Sequence, residues 1–328
     1  MDFNKLFKDF GNIKIAVIGD VMLDTYLFGK VERISPEAPV PVVAVQSKQQ
    51  RIGGAGNVAL NTVALGAETF IISVIGSDDD GKQLDALYRS HHINTDYLIT
   101  SNHRITTNKI RILGHNQQMM RLDSETTKDI NTEEEDLLLS QLKHCIASNK
   151  PDVVIFEDYN KGLLKENVIK RITEHCKELG IVIAVDPKRK NFLAYKGVTI
   201  FKPNLREVRE GLHLQIENVN EKELNEAHRK LGDILKHEIS FITLSEKGVF
   251  YNNGFTSAII PSRIRNIADV SGAGDTVIAT ASLVYALTKD VQLMAEISNL
   301  AGGLVCEEVG VVSIKKDKLR RESELLLC

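Results

Sequence analysis

The sequence predicts an α/β fold: a doubly wound, mostly parallel sheet flanked by helices, carrying a small inserted β-sheet as a lid. Continuous apolar runs recur along the chain without polar alternation, the pattern of strands buried on both faces. Between most of these runs lie stretches of helical periodicity, so strands and helices alternate. Two β-rich stretches interrupt that rhythm and supply the insertion.

The apolar runs lie at 13–19 (IKIAVIG), 69–75, 152–156, 181–186, 199–201 and 240–244. Helical periodicity falls at 57–65, 83–91, 133–147, 166–179 and 221–235, and 315–321 reads as a short, charged, solvated helix. In such sheets ligands bind beyond the C-terminal ends of the strands, so residues just after each run carry the most weight. The interruptions are 40–45 (VPVVAV), after a proline-bearing SPEAP segment, and 104–122, with a hairpin turn expected around Gly114–Asn116. They are read as one small antiparallel sheet, with lid segments at about 25–46 and 103–122.

A length of 328 residues first allows two domains at ~150 residues each. Both candidate substrate sites fall on one sheet, so residues 1–328 are read as a single domain with a split lid. Hydrophobic residues at 43% and charged residues at 26% match soluble globular chains and exclude disorder. A net charge of −3 gives no global field toward nucleic acid or anionic membrane, and without Trp an aromatic stacking platform is not expected. The four cysteines, Cys145, Cys176, Cys306 and Cys328, form no CxxC pair and are expected as buried or half-buried thiols in a reducing cytoplasm. No run reaches the ~18 apolar residues of a membrane span, and nine scattered histidines give no zinc-ligand spacing.

Residues 76–83 (GSDDDGKQ) fall one position short of a Walker A loop. Gln83 lacks the magnesium-ligating hydroxyl, and Asp78, Asp79 and Asp80 would stand where phosphates sit, so the segment reads as a turn capping a helix. Residues 269–275 (DVSGAGD) are a stronger candidate. Gly272, Ala273 and Gly274 form a side-chain-poor turn opening the helical run TVIATASLVYAL, where free N–H groups and the helix dipole suit an anion. An acid beside such a turn would repel a bound anion. Asp275 makes sense as the base that takes a proton from a hydroxyl attacking a phosphoryl group held by the turn. In GGAGN, Gly53 and Gly54 allow a polyol to approach the backbone, and Asn57 can bond its hydroxyls. Asp20 and Asp24 follow the first strand and suit adjacent hydroxyls, Asp20 more than Asp24, the alternative for either being a turn or cap residue.

GGAGN and DVSGAGD together resemble the two signatures of the PfkB/ribokinase family of carbohydrate kinases, and the resemblance spans nearly the whole chain. GSDDDG looks like that family's turn after its third core segment. RISPEAPVPVV, NQQMMRLD, EDYNKGLL, DPK, KPNLREV and TLSEKG narrow the likeness to its heptose 7-phosphate kinases. The resemblance implies a ribokinase-like fold, ATP and Mg²⁺ as cofactors, and phosphorylation of the anomeric hydroxyl of D-glycero-β-D-manno-heptose 7-phosphate to the 1,7-bisphosphate on the way to ADP-heptose for lipopolysaccharide. By position it implies Asp275 as base and Gly272, Ala273 and Gly274 as anion hole. Asn204, Leu205, Arg206 and Glu207 match the NxxE element of the nucleotide site, with Glu207 reaching magnesium indirectly. Ser245, Gly248, Asp269 and Asn299 fall on the nucleotide side. Asp20, Asp24, Gly53, Gly54 and Asn57 match sugar-binding positions, and Lys109, Arg111, Arg121, Lys161 and Lys188 are the cations available for the sugar phosphate.

At 310–313 the chain reads GVVS where relatives often carry Gly-Thr, so no potassium requirement is expected. Open lid edges and an apolar face at Val40, Val42 and Ala44, or at their alternates, predict a homodimer through the lids. No HxGH motif occurs, so nucleotidyl transfer is expected from a separate protein. The alternatives are another acceptor within the family (ribose, fructose or a hexose phosphate) and a non-catalytic sugar- or nucleotide-binding module. A dinucleotide-dependent oxidoreductase lacks its GxGxxG fingerprint here.

Overall fold

The computed structural model describes residues 1–114, 117–263 and 265–327. Along the chain run α1 (Phe3–Asp9), β1 (Lys14–Gly19), β2 (Val21–Ile34), β3 (Pro41–Gly54), α2 (Ala55–Leu65), β4 (Glu68–Gly76), α3 (Asp79–Ser90), β5 (Leu98–Ser101), β6 (Thr107–Gly114) and β7 (Gln117–Ser124). There follow α4 (Thr132–Asn149), β8 (Val153–Glu157), α5 (Glu166–Glu178), β9 (Val182–Asp186), β10 (Ile200–Phe201), α6 (Leu205–Leu212), α7 (Glu221–Leu235) and β11 (Ile239–Thr243). The chain closes with β12 (Val249–Asn252), β13 (Ser257–Ile260), α8 (Ala273–Thr288), α9 (Val291–Val305) and α10 (Lys316–Leu326).

The apolar runs become the parallel body of a sheet ordered β13-β12-β11-β10-β9-β8-β1-β4-β5, in which only β12 and β13 are antiparallel to their neighbours. Strand β1 pairs in parallel with both β4 and β8. From β1 the chain first builds outward through β4 and β5, then returns to build from β8 the other way. The order therefore reverses between β1 and β8, which opens a crevice at their C-terminal ends.

Alternate residues of β1 serve opposite faces. Ile15 and Val17 join one buried core with residues of α2, α8 and α9, while Ala16 and Ile18 join a second with α4, α5 and α7. This two-sided burial is why the strands read as unbroken apolar runs. At the N-terminus, α1 buries Phe3, Leu6 and Phe7, a helix that the sequence reading did not anticipate. Helix α10 buries Leu319 and Ser323, so it is docked rather than simply solvated. Cys145 and Cys176 are buried thiols and Cys306 is half-buried; Cys328 lies outside the described residues. Among the described residues no helix is long and apolar enough to cross a membrane.

The inserted sheet is real but larger than expected, and its pairing differs. It is ordered β3-β2-β6-β7, so the segments are Val21–Gly54 and Thr107–Ser124 rather than 25–46 and 103–122. It is mixed, not antiparallel: β2 pairs antiparallel with β3 but parallel with β6. The reason is topological. The chain reaches β6 only after passing through α2, β4, α3 and β5, a crossover that lets β6 enter in the direction of β2. The hairpin turn expected at Gly114–Asn116 involves His115 and Asn116, which lie outside the described residues.

The near-Walker segment has a structural use. Asp78 caps α3 by accepting from Gly81 N at 2.8 Å, and its other oxygen accepts from Thr106 N at 2.7 Å, where the chain enters the lid. Asp80 accepts from Asn108 Nδ2 at 2.8 Å, two residues further on. Replacing Asp78 with Ala removes both a helix cap and a lid anchor, so stability measured by urea denaturation should fall by about 1–2 kcal/mol. Asp79→Ala, at an exposed position, should change it by less than about 0.5 kcal/mol.

Candidate active site

The crevice between β1 and β8 gathers side chains from strand ends and from the starts of α2, α6 and α8. Gly272 opens α8 with φ +79°, a left-handed conformation that side chains rarely adopt. A Cβ there would also lie 2.7 Å from Asn57 Nδ2. Of the turn's amides, Ala273 N is spent on Val270 O at 3.3 Å, whereas those of Gly272, Gly274 and Asp275 have no protein acceptor among the described residues. The free donors of the turn thus differ by one position from the Gly272, Ala273, Gly274 set read from the sequence.

Asp275 follows in the first turn of α8 and is buried. Its carboxylate accepts from Asn57 Nδ2 at 2.7 Å and from Tyr159 Oη at 2.9 Å. Burial, helped by the nearby Asp186 charge, pushes its pKa up to about 6, while the bonds from Asn57 and Tyr159 and the Lys202 charge hold it down. A folded-state pKa above the ordinary carboxylate value means that stability falls as pH rises through that interval. Keeping the charge at neutral pH costs the fold about 3 kcal/mol. Asn57 is fixed in turn by Asn61, whose Nδ2 donates to the Asn57 carbonyl at 2.8 Å and whose Oδ1 accepts from Thr276 Oγ1 at 3.1 Å.

Two further acids complete a buried cluster. Carboxylate oxygens of Glu157, Asp186 and Asp275 all lie within 4.8 Å of one another. Asp186 accepts from the buried Lys202 Nζ at 2.8 Å and from Lys188 Nζ at 3.4 Å, and these cations keep it ionised. Glu157 has no hydrogen-bond partner on either oxygen among the described residues, and burial with the neighbouring Asp186 charge drives its pKa well above normal. Lys188 also pairs with Glu207 at 3.0 Å. Glu207 and Asn204 close a reciprocal capping box on α6, each accepting from the other's backbone N–H at 2.8 Å.

After β1, Asp20 is buried and accepts backbone N–H bonds from Tyr159 at 2.9 Å, Lys161 at 3.0 Å and Leu163 at 3.2 Å. Burial and the Asp158 charge nonetheless push its pKa up to about 6. It holds the 159–163 loop as well as facing the crevice. Asp24 on β2 pairs with Arg111 on β6. Gly53 and Gly54 end β3 against them: a Cβ on Gly53 would overlap Asp24 Oδ2, and one on Gly54 the Asp20 carbonyl. Lys109 Nζ and Lys188 Nζ lie 5.8 and 5.5 Å from the Tyr159 ring centroid. Lys161 pairs with Glu125 at 2.7 Å.

The other expected residues make contacts of their own. Arg121 on β7 is half-exposed and grips Asp123 with two bonds, at 2.8 and 2.9 Å. Arg206 is exposed and pairs with Glu210 along α6, while its neighbour Leu205 packs against the second core. Ser245 and Gly248 bound a tight turn between β11 and β12, both at positive φ. Asn299 on α9 donates to Pro261 O at 2.9 Å. Asp269 accepts from Ser271 N and Gly310 N, both at 2.9 Å. Sequence reasoning gave no role to Tyr159, Glu157, Asp186 or Lys202. The signal was present, because each follows or ends an apolar run at the ligand end of the sheet.

The chain matches the model of the pfkB family carbohydrate kinases over residues 12–318. It is 40% identical over 308 residues to the bifunctional protein HldE of Methylobacillus flagellatus, an alignment covering 94% of this chain and 62% of the relative. The HldE of Sulfurimonas denitrificans is 36% identical, with 94% and 64% covered. This chain thus spans less than two thirds of the length of these relatives. Among solved structures, Escherichia coli phosphofructokinase-2 in complex with potassium aligns with a TM-score of 0.79 at 16% identity, covering 96% of this chain and 100% of that one. Arabidopsis thaliana ribokinase complexed with ribose and ATP aligns with a TM-score of 0.71 at 16% identity, covering 94% and 99%. At these identities the structures speak to the fold alone, which is ribokinase-like. The family match rests on most of the chain, and the chain belongs to the pfkB family of carbohydrate kinases.

Proposed function

We propose that the protein transfers the γ-phosphoryl group of ATP to the anomeric hydroxyl of D-glycero-β-D-manno-heptose 7-phosphate, with Asp275 as general base. The observation that carries this reading is a buried carboxylate, held by Asn57 and Tyr159, beside a turn with three unspent amides. Asp275 takes the hydroxyl proton as the sugar oxygen bonds to the γ-phosphorus and the bond to the bridging oxygen of ADP breaks. The amides of Gly272, Gly274 and Asp275 hold the charge on the transferring group.

Magnesium fits the residues present, because Asp186 and Glu157 offer clustered hard oxygen donors of the kind it takes, with Glu207 connected to them through Lys188. Bound with the nucleotide, it would neutralise phosphate charge. Asn204, Ser245, Gly248 and Asn299 line the nucleotide side in this reading, and Asp20, Asp24, Gly53, Gly54 and Asn57 the sugar side. Lys109 is the best candidate for the 7-phosphate. It makes no ion pair among the described residues, and burial with the neighbouring Lys161 charge lowers its pKa, a cost that an anion would relieve. The heptose assignment is supported by the likeness to the HldE proteins and by the motifs that narrow the family. A separate nucleotidyltransferase acting further downstream is the partner in this account.

A purified-enzyme screen of sugars and sugar phosphates with ATP, read by NMR of the product, tests the reading. The heptose 7-phosphate should be preferred, and Asp275→Asn should lower kcat by about 100- to 10,000-fold with nucleotide affinity kept. A preference for an unphosphorylated sugar contradicts the acceptor, and near-normal turnover by Asp275→Asn contradicts the base.

The lid leaves Ile34, Val40, Val45, Met120 and Leu122 exposed, an apolar surface consistent with two lids packing together. Light scattering at micromolar concentration should return the mass of two chains. A single-chain mass would refute the lid dimer.

A further inference from the structure

We infer that Arg51 is a positioning residue, a cation built into the lid strand that organises the phosphoryl-binding turn. The inference rests on the reading that this turn holds the transferred group. Arg51 is half-buried near the end of β3, two residues before Gly53. Its Nη1 donates to the carbonyls of Val309 and Val311, at 3.5 and 3.3 Å, in the loop between α9 and α10. Its guanidinium carbon lies 4.9 Å from the centroid of the Tyr26 ring, which fixes it against β2.

The loop is shaped to admit this group. Gly310, between the two carbonyls, has φ +77°, and a Cβ there would lie 2.5 Å from Arg51 Nη1. With two carbonyls turned toward the guanidinium, the intervening Gly310 N–H donates to Asp269 Oδ2 at 2.9 Å. The other Asp269 oxygen accepts from Ser271 N, the residue before Gly272. The Asp269 amide is itself tied to Cys306 O at 3.2 Å. A continuous path thus runs from the lid strand through Arg51, the 309–311 carbonyls, Gly310 and Asp269 to the amides of the turn. Two carbonyl dipoles facing one another need a cation or a donor between them, and the chain supplies its own.

This arrangement accounts for two features that the proposed chemistry leaves unused: the glycine of the 309–311 loop and an arginine placed two residues before Gly53. It also gives the lid a mechanical link to catalysis. Closing β3 over the crevice positions the sugar and the amides that receive the phosphoryl group in one motion.

Arg51→Ala and the neutral, similarly long Arg51→Gln test the inference in steady-state kinetics, with Asp275→Asn assayed beside them. Both Arg51 variants should lose about tenfold or more in kcat with little change in KM for ATP. Guanidinium ion at millimolar concentration should restore part of the Arg51→Ala loss, and Arg51→Lys should fall between that variant and the native chain. The native chain should turn over equally in sodium and potassium salts. Native kcat in Arg51→Gln overturns the inference, as does an Arg51→Ala loss that neither guanidinium nor Arg51→Lys relieves. If Asp275→Asn turns over like the native chain, the reading of the turn fails and this inference falls with it. If Arg51→Ala proves unstable, Arg51→Gln and Arg51→Lys decide the matter from kcat, with thermal midpoints measured alongside.

Discussion

Burial of the Asp275 carboxylate is the constraint around which the ligand end of the sheet is organised. In the proposed mechanism Asp275 must lose its proton at neutral pH, yet it must also sit where water cannot compete with the acceptor. Burial alone would keep the acid protonated, so the structure surrounds it with compensation: Asn57 and Tyr159 donate to it, and Lys202 supplies charge from behind Asp186. Each of these groups comes from a different element, and the register of β1, β8, β9 and β10 fixes their spacing. The parallel sheet matters to function because it sets those strand ends at one level.

The charges form a balanced set rather than a row of independent pairs. Glu157, Asp186 and Asp275 share a small buried volume with two lysines, and three carboxylates there cannot all ionise cheaply. Asp186 takes both lysine contacts and stays charged, whereas Glu157, with no hydrogen-bond partner among the described residues, has its pKa driven up by burial and the Asp186 charge. Lys188 extends the set to Glu207 and so connects the acid cluster to the capping box that starts α6. A substitution at any one of these positions therefore shifts the protonation of its neighbours, and its effect is not that of a single lost contact.

Much of this was legible in the sequence, because two-sided burial and helix-start chemistry leave local marks. The unbroken apolar runs announced the parallel strands, and GGAGN and DVSGAGD announced two turns that only glycine-rich chain can make. What was not legible depends on pairing across distance. Nothing in 104–122 records that β6 runs parallel to β2, since that direction is fixed by the crossover preceding it. Nor does a lone tyrosine after FED announce itself as a donor to an aspartate 116 residues further on. Cations were the least legible class. Arg121 and Arg206 sit in matching motifs yet spend their charge on Asp123 and Glu210, while Lys202, unremarked in KPN, is buried at the centre.

The pH dependence of kcat/KM, which reports groups of the free enzyme, tests the role of this carboxylate most directly. With Asp275 raised to about 6, activity should be full above that value and fall as pH drops through it. Tyr159→Phe removes a hydrogen bond that favours the ionised form, so the limb should move to higher pH. An acid limb near the ordinary carboxylate value, or one that Tyr159→Phe leaves in place, would contradict the account.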